Sequence, residues 1–270
     1  MKSIGFYCDA SRIEQNALEQ LQQYAGRPFI EHINAYPDIH YCQEKALPVG
    51  VAFVTKGWCY PLITGKDIGC GVMYLRIEKA DWLKPFDKSK HYTALQFAQQ
   101  QMTDEGLGGG NHFLSVEEDD SHVYIICHTG TRNRGIALYQ ECVSLTRNYE
   151  REAGTPSDCV PQEYLPEAFC NYYNAVLEYG YARRKTFCFK TLAFLQQAGY
   201  IRYRRQEMKE GYLKHNYLPL PEHGSLHGTE YQLEDSVHNH LRFNNGQVIH
   251  RKGSTEILPG KTVVIHKPGR

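Results

Sequence analysis

The chain of 270 residues lacks a net charge, because 30 lysines and arginines balance 30 aspartates and glutamates. Proteins that hold nucleic acid by its phosphates usually carry a basic excess, so such a partner would have to rely on local clusters. A long apolar run is also missing. The longest uninterrupted one, 123–127, has the length of a strand, far below the roughly 18 residues of a membrane span. Asp9 arrives too early for the apolar core of a secretory signal, so the expected location is cytoplasmic, with no membrane partner.

Paired cysteine motifs are absent too. The nine cysteines are an odd number, scattered from Cys8 to Cys188 without a Cys-x-x-Cys pair. That excludes complete disulfide pairing within the chain and gives no zinc-finger spacing. They read as reduced thiols, mostly small buried hydrophobes. Apolar and aromatic residues are plentiful, at 41% and 12%, which excludes a disordered chain. The length is enough for one large domain or for a domain with an insertion.

Residues 12–24 set Ile13, Leu18 and Leu21 among polar side chains, which predicts an amphipathic helix. Residues 49–54 and 72–77 predict strands, separated by a loop at 65–71. A helix is predicted over 90–102, broken by the glycine run Gly106-Leu-Gly-Gly-Gly110. Strands are predicted at 113–116 and 122–128, around an acidic turn at 117–120. Helices follow over 135–153 and 166–197, the second striped by Phe169, Tyr172, Tyr173, Val176 and Tyr179. Residues 198–230 are less regular, and short strands are predicted at 247–250 and 262–265. Grouped rather than strictly alternating strands and helices favour an α+β fold with a mixed or antiparallel sheet. The expected organisation is one domain over 1–270 with a helical and irregular insertion at about 136–230.

Four short motifs carry the side chains best suited to metal: Asp67-Ile-Gly-Cys70, Asn111-His112, His128-Thr-Gly-Thr-Arg132 and His238-Asn239. They lie beside glycines or at predicted strand ends, where backbone can approach a ligand closely. A thiolate, imidazoles and a carboxylate suit a borderline divalent ion such as Mn, Co or Zn. A cysteine sulfur can bridge two ions, and a two-metal centre suits phosphoryl chemistry by clamping the attacking and leaving oxygens. Blander readings stand beside these. In a chain with 13 histidines, any one of them can be a surface or hydrogen-bonded structural group, and Cys70 reads equally as a buried thiol.

The glycine run before Asn111 is either a flexible turn or a loop whose amides approach phosphate. The run Thr129-Gly-Thr-Arg-Asn-Arg134 is either an anion site of hydroxyls, amides and two guanidiniums, or a helix cap with solvated arginines. The basic clusters at 202–205 with Lys209, and at His250-Arg-Lys252, are either solvated faces or RNA contacts with tyrosines for base stacking.

Seven strings together carry a resemblance. They are Pro37-Asp-Ile-His40, Pro48-Val-Gly-Val51, Asp67-Ile-Gly-Cys-Gly-Val-Met73, Leu107-Gly-Gly-Gly-Asn-His-Phe113, His128-Thr-Gly-Thr-Arg132, Val237-His-Asn239 and His250-Arg-Lys-Gly-Ser254. In this order they resemble the motifs of the RtcB family of GTP- and manganese-dependent RNA ligases. The likeness is closest to the branch encoded beside release factor H, which implies a functional link to a release-factor-like protein. It further implies an RtcB-like fold, two Mn2+ ions and GTP as cofactors. Asp67, Cys70 and His112 would hold one ion, and Cys70, His128 and His238 the other. Asn111 and Asn239 would hold nucleotide phosphates, Arg132 would bind substrate phosphate, and Asp38 would lie near the reacting groups. In the implied reaction, GTP guanylylates a histidine and GMP then passes to an RNA 3′-phosphate, itself opened from a 2′,3′-cyclic phosphate. A 5′-hydroxyl end finally displaces GMP, as in RNA repair and tRNA splicing.

Two features depart from the family pattern. Ser115 stands where the family usually carries a glutamate thought to contact guanine. The family's nucleotide-accepting histidine lies in a His-Gly-x-Gly-Arg motif well beyond His-Arg-Lys-Gly. Here His266-Lys-Pro-Gly-Arg270 follows His250 too closely and aligns instead with the Pro-Gly turn that precedes that stretch. The expectation is therefore an RNA ligase joining 3′-phosphate and 5′-hydroxyl ends whose guanylylation segment is missing from the sequence. The alternatives are a degenerate metal-binding homologue without ligase activity, and a metal-dependent phosphoesterase of cyclic phosphate ends.

Overall fold

The computed structural model describes residues 3–42, 47–85, 105–155, 157–202, 208–214, 216–217 and 247–252. In chain order the elements are β1 (Ser3–Phe6), α1 (Gln15–Ala25), β2 (Ile30–His40), β3 (Val49–Lys56), β4 (Trp58–Cys59), β5 (Gly71–Glu78), β6 (Phe113–Glu118), β7 (His122–Thr129), α2 (Asn133–Ala153), β8 (Val160–Pro161), α3 (Glu167–Gln197), β9 (Lys209–Lys214), β10 (Asn216–Tyr217) and β11 (Gln247–Lys252). The fold is α+β. The helix expected at 90–102 and the strand expected at 262–265 lie outside the described residues.

One sheet has the order β6-β7-β5-β9 and is antiparallel throughout. β5 alternates, with Gly71, Met73, Leu75 and Ile77 buried, the period of two expected where one face meets a core. β7 is buried from Val123 to Thr129, as a central strand rich in β-branched residues should be. The covering element is α3, whose Phe187, Cys188, Leu192 and Leu195 pack on Met73, Leu75, Ile125 and Cys127. Helix α2 buries Leu138, Cys142 and Leu145 at helical spacing against Cys170, Tyr173 and Val176 of α3. It stops at Gly154, whose φ of 69° is the left-handed conformation that closes helices.

The second sheet has the order β1-β2-β3-β11-β10. β1 and β2 are parallel and therefore need a crossover, which α1 supplies while burying Ala17, Leu21 and Tyr24 on the sheet. β1, β2 and β9 fall in segments where no strand was expected. In β2 the register slips between Ile30 and His32 and again after Ala35; Ile30 and Ile33 face the core at an odd spacing, and the exposed Pro37 interrupts the even series Ile33, Ala35 and Ile39. β9 (KEGYLK) is short and charged, with little apolar pattern of its own.

The β6–β7 hairpin turns later than expected, because β6 continues to Glu118. Asp119 holds the turn: its carboxylate accepts the amides of Ser121 and His122 at 2.7 Å each, and the Tyr124 hydroxyl at 2.7 Å. These hydrogen bonds, the tyrosine's first, lower its pKa to about 2. A depressed folded-state value means the stabilisation is present above the ordinary carboxylate range and fades as pH falls towards 2. An NMR titration of the Asp119 carboxyl should therefore find a midpoint near 2. A midpoint at the ordinary value would show that the turn contacts do not form in solution.

Candidate metal centre

Strand register builds the site. Gly71 at the start of β5 pairs with Thr129 at the end of β7, and Phe113 at the start of β6 pairs with His128. Three segments distant in sequence therefore open at one end of one sheet. Cys70 precedes β5, His112 precedes β6, and His128 closes β7.

Asp67, Cys70 and His112 bring one ligand atom each within 4.8 Å of one another. Cys70 Sγ lies 3.7 Å from His112 Nε2 and 3.2 Å from His128 Nε2. His112 Nε2 lies 3.9 Å from Asp67 Oδ2. The thiol is thus flanked by two imidazoles, with the carboxylate on the His112 side. His128 Nδ1 is 2.9 Å from the Asn111 carbonyl. That acceptor requires the proton on Nδ1, which leaves the Nε2 lone pair facing sulfur, as a ligating histidine needs. His112 Nδ1 is buried and has no hydrogen-bond partner among the described residues.

Burial, and then the nearby Asp67 carboxylate, push the Cys70 thiol well above its ordinary pKa. Burial pushes His128 down, so its imidazole is neutral at neutral pH. Sulfur must therefore lose a proton to become a ligand while His128 need not, and metal affinity should rise with pH. Asp67 is 39% exposed at the mouth of the cluster, the side open to solvent. A sulfur, two imidazoles and a carboxylate fit a divalent ion of borderline softness. The cradle is also shaped for close approach, because a Cβ at Gly130 would collide with the Asp67 carboxylate.

The run from Thr129 to Arg134 divides its roles. Thr129 donates its hydroxyl to the Leu107 carbonyl and Thr131 to the Ile68 carbonyl, each at 2.5 Å. Those hydroxyls tie the glycine loop to the end of β7 and the Asp67–Cys70 loop to the turn that follows it. Arg132 sits at the head of α2 with a φ of 54°, a conformation non-glycine residues hold only when their surroundings impose it. Its Nε is buried without a partner among the described residues. Arg134 is exposed and stacks on Tyr179 at 3.8 Å. Asn111 is exposed beside the cluster. Asp38 lies in β2, and its side chain falls outside the described set, as do His238, Asn239 and His266. Ser115 donates to Glu117 at 2.7 Å, so a carboxylate does stand two residues along the same face of β6.

The His250-Arg-Lys252 cluster is neither a solvated face nor an open RNA contact at two of its three positions. His250 is fully buried, stacks on Phe53 at 4.2 Å and accepts the Tyr60 amide at 2.9 Å. Lys252 is 6% exposed and donates to the Thr64 carbonyl at 2.6 Å. Alternate residues of β11 thus face inward and pin loop 60–64, which leads to Asp67. In the other basic cluster Arg202 is exposed, and 203–207 lie outside the described residues.

Arg183 and Arg184 of α3 were not expected at the site. They are 3% and 0% exposed, and both reach the loops that lead to the candidate ligands. The sequence signal was an arginine pair inside an apolar helix face, next to the mid-helix Gly180.

Fold and donor set together define an α+β protein with a mixed sulfur, nitrogen and oxygen cluster at one end of an antiparallel sheet. Among curated proteins, the chain is 26% identical over 217 residues to the RNA-splicing ligase RtcB of Escherichia coli strain K12, covering 62% of this chain and 51% of that one. It is 27% identical over 165 residues to RNA-splicing ligase RtcB2 of another Escherichia coli strain, covering 49% and 43%. The chain spans about half the length of the curated relatives it matches. No protein-family profile matches it. No described helix is long and apolar enough to cross a membrane.

Proposed function

We propose that this chain carries the metal-binding part of an RNA ligase that joins RNA 3′-phosphate or 2′,3′-cyclic phosphate ends to 5′-hydroxyl ends, with Mn2+ and GTP. The observation that carries the reading is Cys70 held between His112 and His128, with Asp67 completing the cluster at the solvent side. The likeness to proteins named RNA-splicing ligases supports it.

In this reading Asp67, Cys70 and His112 hold one ion, while Cys70 and His128, with His238, hold a second. Bound divalent ions supply positive charge that offsets converging phosphates and polarises their oxygens. The chain's residues do the rest. Arg132, fixed by its unusual backbone, presents a guanidinium to the terminal phosphate of the RNA. Asn111 and Asn239 would hold the nucleotide's phosphates, and Asp38 would lie near the reacting groups. The Asn111 carbonyl keeps the His128 proton on Nδ1, so the ring cannot donate from Nε2 towards the ions.

The test supplies the chain with GTP, Mn2+ and two RNA strands, one ending in 3′-phosphate and one beginning with 5′-hydroxyl. The expected result is a joined strand that requires both GTP and Mn2+. Opening of a cyclic phosphate without GTP, and without joining, would replace the ligase with a phosphoesterase. Metal binding with neither reaction would leave a metal-binding homologue.

A further inference from the structure

Helix α3 runs behind the cluster, and its inward face carries two buried arginines in succession. Arg183 donates from Nη2 to the Gly106 carbonyl at 2.7 Å, at the base of the glycine loop that leads to His112. Its Nη1 lies 3.5 Å from Glu105. Arg184 donates from Nη1 to the Gly69 carbonyl at 2.9 Å and to the Thr129 carbonyl at 2.7 Å. Gly69 immediately precedes Cys70, and Thr129 immediately follows His128. The second nitrogen of Arg184 donates to the Tyr212 hydroxyl at 2.5 Å.

The helix can come this close because residue 180 is glycine. A Cβ there would lie 2.7 Å from Thr131 and 3.0 Å from the Gly69 carbonyl. Arg184 is fully buried, and among the described residues its guanidinium donates to two carbonyls and a hydroxyl, all neutral. A buried guanidinium persists only where its hydrogen bonds are well made, so these contacts bind the two loop backbones firmly to the helix.

We propose that Arg183 and Arg184 are positioning residues for the metal centre, which fix the three ligand-bearing segments to one helix so that sulfur and imidazoles meet at bonding geometry. The proposal rests on the metal reading of the cluster. Groups that orient metal ligands typically contribute about 10–100-fold to metal affinity. Lysine at 184 would keep a cation and one nitrogen for the two carbonyls but would lose the fork that also reaches Tyr212.

Co2+ alone is the probe, because a cobalt–thiolate bond absorbs in the near ultraviolet and reports the sulfur directly. Titrations are run at a temperature where each variant is fully folded by circular dichroism. Arg184→Met and Arg183→Met are expected to weaken Co2+ binding by about 10–100-fold, with a reduced thiolate band, and Arg184→Lys to recover most of the loss. Wild-type affinity and spectrum in both methionine variants would overturn the proposal and leave the arginines as packing only. If Arg184→Met does not fold, Arg184→Lys and Tyr212→Phe decide: both should keep the thiolate band with affinity between wild type and Arg183→Met. Loss of binding in Tyr212→Phe equal to that in Arg183→Met would overturn the role given to the carbonyl contacts. Absence of any thiolate band in the wild-type protein would overturn the metal reading itself, and is thus distinguishable from failure of the arginine proposal.

Discussion

Replacing Cys70 by alanine is expected to remove divalent metal binding, with an affinity loss beyond about 100-fold. Loss of groups that merely orient ligands already reaches that range, and Sγ is the atom to which both His112 and His128 point. The same substitution should leave the fold in place. Sulfur contributes little volume at a strand end, and the backbone there is still held by the β5–β7 pairing. Cys142→Ala is the matched control, since Cys142 is also fully buried but sits between α2 and α3. It should lose comparable stability and no metal affinity. Mn2+ or Co2+ titration of the two variants checks the pair. Unchanged binding in Cys70→Ala would make Cys70 a structural thiol.

The second large effect belongs to the core that carries the site. Phe187 is fully buried on α3 against the β5–β7 face. Its replacement by alanine is expected to destabilise the chain by about 3–5 kcal/mol, through lost transfer energy and the cavity left behind. The effect should extend to the cluster, because α3 holds the Gly69, Gly106 and Thr129 carbonyls through its two arginines. Urea unfolding measures the first part, and Co2+ affinity of the folded variant measures the second. A loss below about 1 kcal/mol would mean that α3 does not pack on the sheet as described.

Much of the local structure was legible in the sequence, and particular residues show why. The helical period across 135–153 and the apolar strands at 72–77 and 122–128 each contain their own signal. β2 was not legible because a register slip after Ile30 and the exposed Pro37 break its alternation, and β9 because an edge strand with two lysines and a glutamate has little alternation to read. The candidate ligands Asp67, Cys70, His112 and His128 were legible as residue types beside glycines. Their convergence was not, because no spacing in the chain relates positions 67–70, 112 and 128.

A balanced charge, an α+β pattern and a set of sulfur, nitrogen and oxygen donors in short glycine-rich motifs are all visible in the amino-acid order. Packing settles which donors meet, since antiparallel pairing brings the starts of β5 and β6 and the end of β7 to one end of the sheet. It also moved two basic residues, His250 and Lys252, from the surface into a loop clamp. And it brought Arg183 and Arg184 to the back of the cluster. A charge run carries no sign of its direction along a chain. Burial and the nearest unpaired carbonyl set that direction, and both exist only once distant segments have packed.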